Sequence, residues 1–192
     1  MDFVIFDSEY TTWDGAMARK WHGAGEHKEI IQIGALKVSF PAFEIVDKLS
    51  LIIKPTVNPQ LSDYCTKLTG ITQKQVDAGV DFAAGLRQFC AFCGDCLVGS
   101  YGNDICVMAE NAELLRTDPQ NIYGLNVINL RFWIGRWNHK ALTMNSGSLW
   151  QLLENNCAMD HTREHDALDD CYSLWDVLHY MHRQGADLPF VK

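Results

Sequence analysis

The sequence predicts an α/β fold: a mixed five-stranded sheet flanked by helices, in a single domain over residues 1–192. Three observations predict it. Phe3-Val4-Ile5-Phe6 is apolar on both faces of an alternating strand, which suits a central strand covered on both sides. Two more strand-like segments follow before any helical pattern, and Pro55 and Pro59 close that hairpin. Beyond them helical and strand-like stretches alternate, as parallel βα units require.

The elements follow in order. The first strand runs over about 2–10, and a long loop over 13–23 follows it. Strand-like segments cover 30–38 (Ile30, Ile31, Ile33, Val38) and 44–53. Leu61–Leu68 reads as a short helix with Gly70 as its C-terminal cap. Thr72-Gln73-Lys74-Gln75 is a capping box that starts another. Phe82, Leu86, Phe89 and Cys93 keep helical spacing, and 96–101 reads as a strand. Asn103-Asp104 opens a helix expected to bury Ile105, Met108, Ala109 and Ala112. Asn126–Leu130 is a further strand candidate, and the last long helix covers about 166–184.

The chain has 192 residues and a formal net charge of −8, which fits one medium domain with a real core. It has no apolar run of membrane-spanning length and no signal-peptide pattern at its start, so no membrane association and a cytoplasmic location are expected. Seven Cys at irregular spacing suggest reduced thiols rather than a disulfide framework. The acidic balance argues against a broad basic surface for duplex DNA. It leaves room for a nucleic-acid enzyme, because bound divalent cations can reverse the local charge where a phosphate must sit.

The residues most out of place are acids. Phe3, Ile5, Asp7 and Glu9 share one strand face, so two carboxylates about 7 Å apart at Cα end a strand that is otherwise apolar. Like charges held close call for protonation or a cation, and a divalent metal is the simplest neutraliser. A solvated strand end with ordinary surface acids is the competing reading. Near the other end, Ala167, Leu168, Cys171, Leu174, Trp175, Leu178 and Met181 form an apolar stripe. Asp170 borders that stripe, whereas Asp169 lies with Tyr172, Ser173 and Asp176 on the more polar side. His165 would stand roughly 140° from Asp170 on a continuous helix. The two converge only if His165 sits in the loop before the helix, which Asp166 as N-cap permits. Asp104 follows a strand and opens a helix, both an ordinary N-cap position and the place where open α/β sheets put ligand groups. Four carboxylates and one His from separated segments suit two-metal phosphodiester chemistry.

Asp7-Ser8-Glu9, Ser100-Tyr101-Gly102-Asn103-Asp104 and His165-Asp166-Ala167-Leu168-Asp169-Asp170 resemble, in order and type, the three motifs of the DEDDh (DnaQ-like) 3′→5′ exonucleases. Pro59–Cys65, Leu68–Gln73 and Glu29–Gly34 are similar to that family's RNA-trimming branch, the enhanced-RNAi and histone-mRNA 3′ exonucleases and the KapD type. The resemblance covers nearly the whole chain and implies a ribonuclease-H-like fold. It implies Asp7, Glu9, Asp104 and Asp170 as ligands of two Mg²⁺ or Mn²⁺ ions and His165 as general base. Tyr10 and Thr11 would contact the 3′-terminal nucleotide. The implied reaction removes nucleoside 5′-monophosphates from single-stranded 3′ ends, of RNA before DNA. The family's usual Gly after the Thr pair is replaced by Trp13. The alternatives are a DNA exonuclease of proofreading or repair type, and a non-catalytic regulatory or nucleic-acid-binding module on the same fold. A homodimer or protein partner is not legible.

Two further features stay beside this reading. Cys90, Cys93 and Cys96 invite a zinc reading but are taken as small buried apolar residues. The loop with Trp13, Arg19, Lys20 and Trp21 either stacks bases and meets phosphates or covers the hairpin as an Ω-loop.

Overall fold

A computed structural model describes all residues except 155, 160, 162–164, 191 and 192, and all described side chains but that of residue 121. One mixed sheet of order β3-β2-β1-β4-β5 runs through the molecule. Its strands are β1 (Asp2–Tyr10), β2 (Ile30–Ser39), β3 (Ile45–Ile52), β4 (Leu97–Ser100) and β5 (Asn126–Asn129). The front pairs β3-β2-β1 are antiparallel, and β4 and β5 add in parallel. β1 is therefore central, flanked on both edges, and every residue from Phe3 to Glu9 is buried. This is the arrangement expected from its apolar start.

The alternation of β1 divides the interior in two. Phe3 and Ile5 enter a core with Leu36, Val38, Leu130, Leu174 and Leu178. Val4 and Phe6 enter another with Ile33, Phe82, Phe89, Val98 and Met108. Each such side chain contributes about 1.5–3 kcal/mol by leaving water. The helices are α1 (Asp63–Thr69), α2 (Gln73–Asp77), α3 (Phe82–Cys93), α4 (Asp104–Leu114), α5 (Gln120–Tyr123), α6 (Leu130–Trp137) and α7 (Ala167–Arg183), with 3₁₀ segments at His139–Thr143 and Ser146–Leu153. The left-handed Gly70 at φ 70° and the full Thr72/Gln75 capping box stand as the sequence predicts, and Ser62 caps α1, which begins at Asp63.

Three local expectations are corrected. The strand at 126–130 ends at Asn129, whose side chain accepts from Arg131 N and caps α6 instead of extending the sheet. The face α4 buries is Val107, Met108, Asn111 and Ala112, with Ile105 and Ala109 only half-buried. The reason is Asn111, which accepts from Ile30 N at 2.9 Å and donates to Lys28 O, pinning α4 to the start of β2. The supposedly polar side of α7 is interior: Ser173 and Asp176 are buried. The 3₁₀ segment Ser146–Leu153 covers that side, with Trp150 N donating to Ser173 Oγ and Ser173 Oγ donating to Ser146 O. Periodicity within one helix cannot reveal a second cover supplied by a distant segment.

The three Cys of the cluster pack together into the apolar core. Cys93 is fully buried, its thiol pushed up to about 12 by burial, and Cys90 and Cys96 pack half-buried at the rim of the same core. The 13–28 loop is self-supporting. Arg19 pairs with Glu26 and donates to Asp14 O, Trp21 Nε1 donates to Thr11 O, and Ala16 is buried beneath. Lys28 lies 4.7 Å from the Trp21 ring and 5.7 Å from that of Tyr10. His179 and His182 stack on Phe43.

Candidate active site

At the carboxyl end of β1 the backbone presents Asp7 and Glu9 on one face, and α7 brings its first turn against that face. Two features of β2 allow the approach. Gly34 pairs with Asp7 in register, and a Cβ there would lie 2.3 Å from the carbonyl carbon of Ala167. Gln32 pairs with Glu9, accepts from Ala167 N at 3.0 Å and donates to Asp166 Oδ2 at 3.2 Å. Asp166 is the N-cap, accepting from Leu168 N and Asp169 N. The helix therefore begins after His165, and His165, at φ 62°, stands in the preceding loop. Its backbone N–H donates to Asp170 Oδ1 at 3.2 Å. His165 thus has the loop position that convergence with Asp170 requires, and the contact between them is made by its backbone.

Asp7, Glu9 and Asp170 each offer a carboxylate oxygen within 4.8 Å of the others. Asp170 is 2% exposed, whereas Asp169 is half-buried, so the helix-face argument chose the inward acid. Asp104 stands apart from this trio. It opens α4, and its Oδ1 accepts from Ser8 N at 3.2 Å and Ser8 Oγ at 2.8 Å. Its charge still reaches them. Burial first, then Asp104, Asp170 and Glu9, push the Asp7 carboxyl well above its usual range. Burial, Asp170, Asp104 and Asp166 do the same to Glu9. Burial raises Asp104 itself, against the Ser8 hydrogen bonds. Among the described residues, Asp7, Glu9 and Asp104 have no Lys or Arg partner. Buried carboxylates gathered this closely are the donor chemistry that hard divalent ions complete with oxygen ligands.

Two contributors were absent from the sequence reading. Ser146 Oγ reaches both Asp7 Oδ1 at 2.9 Å and Asp170 Oδ2 at 3.1 Å. A Cβ on Gly147 would stand 2.3 Å from Asp170 Oδ1, so that glycine leaves the room the carboxylate occupies. The sequence signal for them is faint: a Ser-Gly pair behind Asn145, itself an N-cap accepting from Ser148 N. Tyr10 borders the acids. Burial and the charges of Asp104, Glu9 and Asp7 push its phenol above its usual range, and its ring meets Trp21 edge-on at 5.5 Å. Thr11 turns inward: its hydroxyl donates to His27 O at 2.6 Å and accepts from Glu29 N at 3.0 Å.

A central strand ending in carboxylates, a helix N-terminus laid across it and a His in the loop before that helix define a nuclease of the ribonuclease-H-like class. Residues 4–178 match the Exonuclease family (RNase_T), and the chain belongs to that family. It is 37% identical to rat 3′-5′ exoribonuclease 1 over 200 residues, covering 97% of this chain and 55% of that protein. It is 37% identical to mouse ERI1 exoribonuclease 2 over 87 residues, 45% of this chain and 12% of the relative. With Drosophila melanogaster 3′-5′ exonuclease Snipper it shares 35% over 86 residues, 45% of this chain and 29% of the relative. The chain thus spans between an eighth and about half of these curated relatives. Among solved structures, the nuclease domain of 3′hExo, a DEDDh family member bound to rAMP, superposes with a TM-score of 0.81. That pair is 24% identical and covers 100% of this chain and 96% of the other. The likeness establishes the same fold.

Proposed function

We propose that this chain is a metal-dependent 3′→5′ exonuclease that removes nucleoside 5′-monophosphates from single-stranded ends, RNA in preference to DNA. The observation that carries this reading is the buried trio Asp7, Glu9 and Asp170, within 4.8 Å of one another. The preference for RNA is supported by the relative that aligns over 97% of the chain, an exoribonuclease by name.

Asp7, Glu9 and Asp170 would hold Mg²⁺ or Mn²⁺. Asp104 would complete a two-ion set through Oδ2, since Ser8 occupies Oδ1. Such ions, when bound, neutralise the phosphate and ease formation of the attacking hydroxide. The protein's own groups do the rest. Ser146 holds Asp7 and Asp170 in fixed relative orientation. His165, tied through its backbone to Asp170, takes the proton of the attacking water. Tyr10 offers a ring beside the acids for the terminal nucleotide, whereas the Thr11 hydroxyl is engaged within the fold. Lys28, over Tyr10 and Trp21, places a cation at the rim of this surface, where the net charge of −8 would otherwise repel a polyanion.

The test uses 5′-labelled single-stranded RNA and DNA of one sequence, each with Mg²⁺, with Mn²⁺ and with chelator, beside His165→Ala. A metal-dependent ladder shortening from the 3′ end, faster on RNA and lost in the variant, is expected. Faster loss of DNA would move the assignment to a DNA exonuclease. No degradation of either by folded protein would overturn the enzymatic reading.

A further inference from the structure

A second set of donors, different in kind, stands away from the carboxylate trio. Asp176, six residues beyond Asp170 on α7, is 2% exposed. Its Oδ1 accepts from Ala158 N at 2.9 Å, and its Oδ2 accepts from Met159 N at 3.1 Å. His161 Nε2 lies 2.6 Å from Oδ2, with the imidazole side chain itself only 6% exposed. Cys157 completes the group: one ligand atom each from Cys157, His161 and Asp176 falls within 4.8 Å of the other two. The surroundings hold each donor in place. The Trp150 ring stacks on His161 at 5.5 Å and 15°, and the Cys157 thiol donates to Trp150 O at 3.6 Å.

We propose that Cys157, His161 and Asp176 form a binding site for a zinc-class divalent cation, separate from the carboxylate site, which ties Cys157 and His161 to α7. The donor set decides the metal class. Sulfur with imidazole and one carboxylate suits Zn²⁺ or Co²⁺, whereas Mg²⁺ takes oxygen alone. Charge and protons balance. The Cys157 thiol gives its proton to solvent, the Nε2 proton that His161 shares with Asp176 moves to Nδ1 by exchange with solvent, and the freed sulfur and Nε2 lone pairs turn to the ion. One thiolate and one carboxylate cancel the two positive charges, so the buried cluster is neutral when loaded. Solvent takes the fourth position. A tetrahedral ion needs its ligand atoms about 3.5 Å apart, so the His161–Asp176 pair, now at 2.6 Å, would open by about 1 Å while all three ligand atoms already lie within 4.8 Å. The Ala158 and Met159 N–H groups already orient Asp176, as partners behind metal ligands do. His161 precedes His165 by four residues, so the ion would fasten the approach to the catalytic loop without touching its reacting groups.

The experiment strips the reduced protein with chelator and titrates it with Co²⁺. A sulfur-to-cobalt charge-transfer band is the signal, because the carboxylate trio has no sulfur and cannot produce it. The band should appear, persist in Asp7→Asn and vanish in Cys157→Ser. It should need at least about tenfold more cobalt in His161→Ala. On the unsubstituted protein, Zn²⁺ should protect Cys157 from alkylation while exposed Cys106 stays reactive, read by peptide mass spectrometry. This arm decides the matter even if a variant fails to fold. No band, a band that survives Cys157→Ser, or alkylation of Cys157 unaffected by Zn²⁺ would each overturn the proposal.

Discussion

Gly147→Ala isolates the role of a residue that carries no functional group. The added Cβ would stand 2.3 Å from Asp170 Oδ1, 2.8 Å from its Cγ and 3.0 Å from Oδ2. Ordinary contact begins near 3.4 Å, so the carboxylate must retreat by about 1 Å or the 3₁₀ segment must lift by that amount. Either movement opens the Ser146 contact, now 3.1 Å, and separates Asp170 from Asp7. A misplacement of about 1 Å in a group that positions reactants costs on the order of 100-fold in rate. That equals about 2.7 kcal/mol of transition-state stabilisation. The assay is the initial rate on single-stranded RNA across Mg²⁺ concentrations, with thermal unfolding alongside. The expected variant is folded, about 100-fold slower and weaker for metal. Gly34→Ala is the contrast. Its Cβ would meet Ala167 backbone at 2.3 Å, so the start of α7 must leave the sheet. Overpacking of that kind costs about 1–3 kcal/mol or more, visible first as a lowered unfolding temperature. Wild-type rate and metal affinity in Gly147→Ala would refute the idea that Asp170 is held by steric fit.

The remaining expectations concern charge. Asp170→Asn should lower the rate by several orders of magnitude and Asp169→Asn by less than about tenfold, since only Asp170 lies in the trio; equal losses in single-turnover rates would mean that the helix face is misassigned. Metal-free protein should also lose stability as pH rises. The folded-state values of Asp7 and Glu9 lie above their unfolded ones, so these groups favour the fold below the ordinary carboxylate range. That contribution disappears as pH climbs through the raised values. Added Mg²⁺ or Mn²⁺ should then raise the unfolding temperature more at pH 8 than at pH 5. A metal-free unfolding temperature that climbs steadily over that interval would contradict the sign.

Much of this was legible in the chain because it depends on short-range rules. Alternation in Phe3–Glu9 fixes which acids share a face, and a double-sided apolar start makes that strand central. The capping chemistry of Asp166 ends the loop where His165 needs it, and the stripe on α7 singles out Asp170. These are properties of residues within a few positions of each other, so backbone geometry turns them directly into structure.

What the tertiary structure alone decided involves partners far apart in sequence. Ser146 reaches Asp7 across 139 positions, and the Ser-Gly pair behind Asn145 does not by itself name the two carboxylates it joins. Asp104 receives the hydroxyl and N–H of Ser8 on its Oδ1 from 96 positions away, a partner that its own helix-opening position does not announce. Ser173 and Asp176 read as a solvated face, and burial beneath a 3₁₀ segment made one a docking point and the other part of a Cys-His-Asp cluster. The Thr11 hydroxyl looked available until His27 and Glu29 took it. The physical reason is the same in each case. A local pattern says which way a side chain points, whereas its partner is set by chain-distant packing, and at a site of clustered charge the partner determines the chemistry.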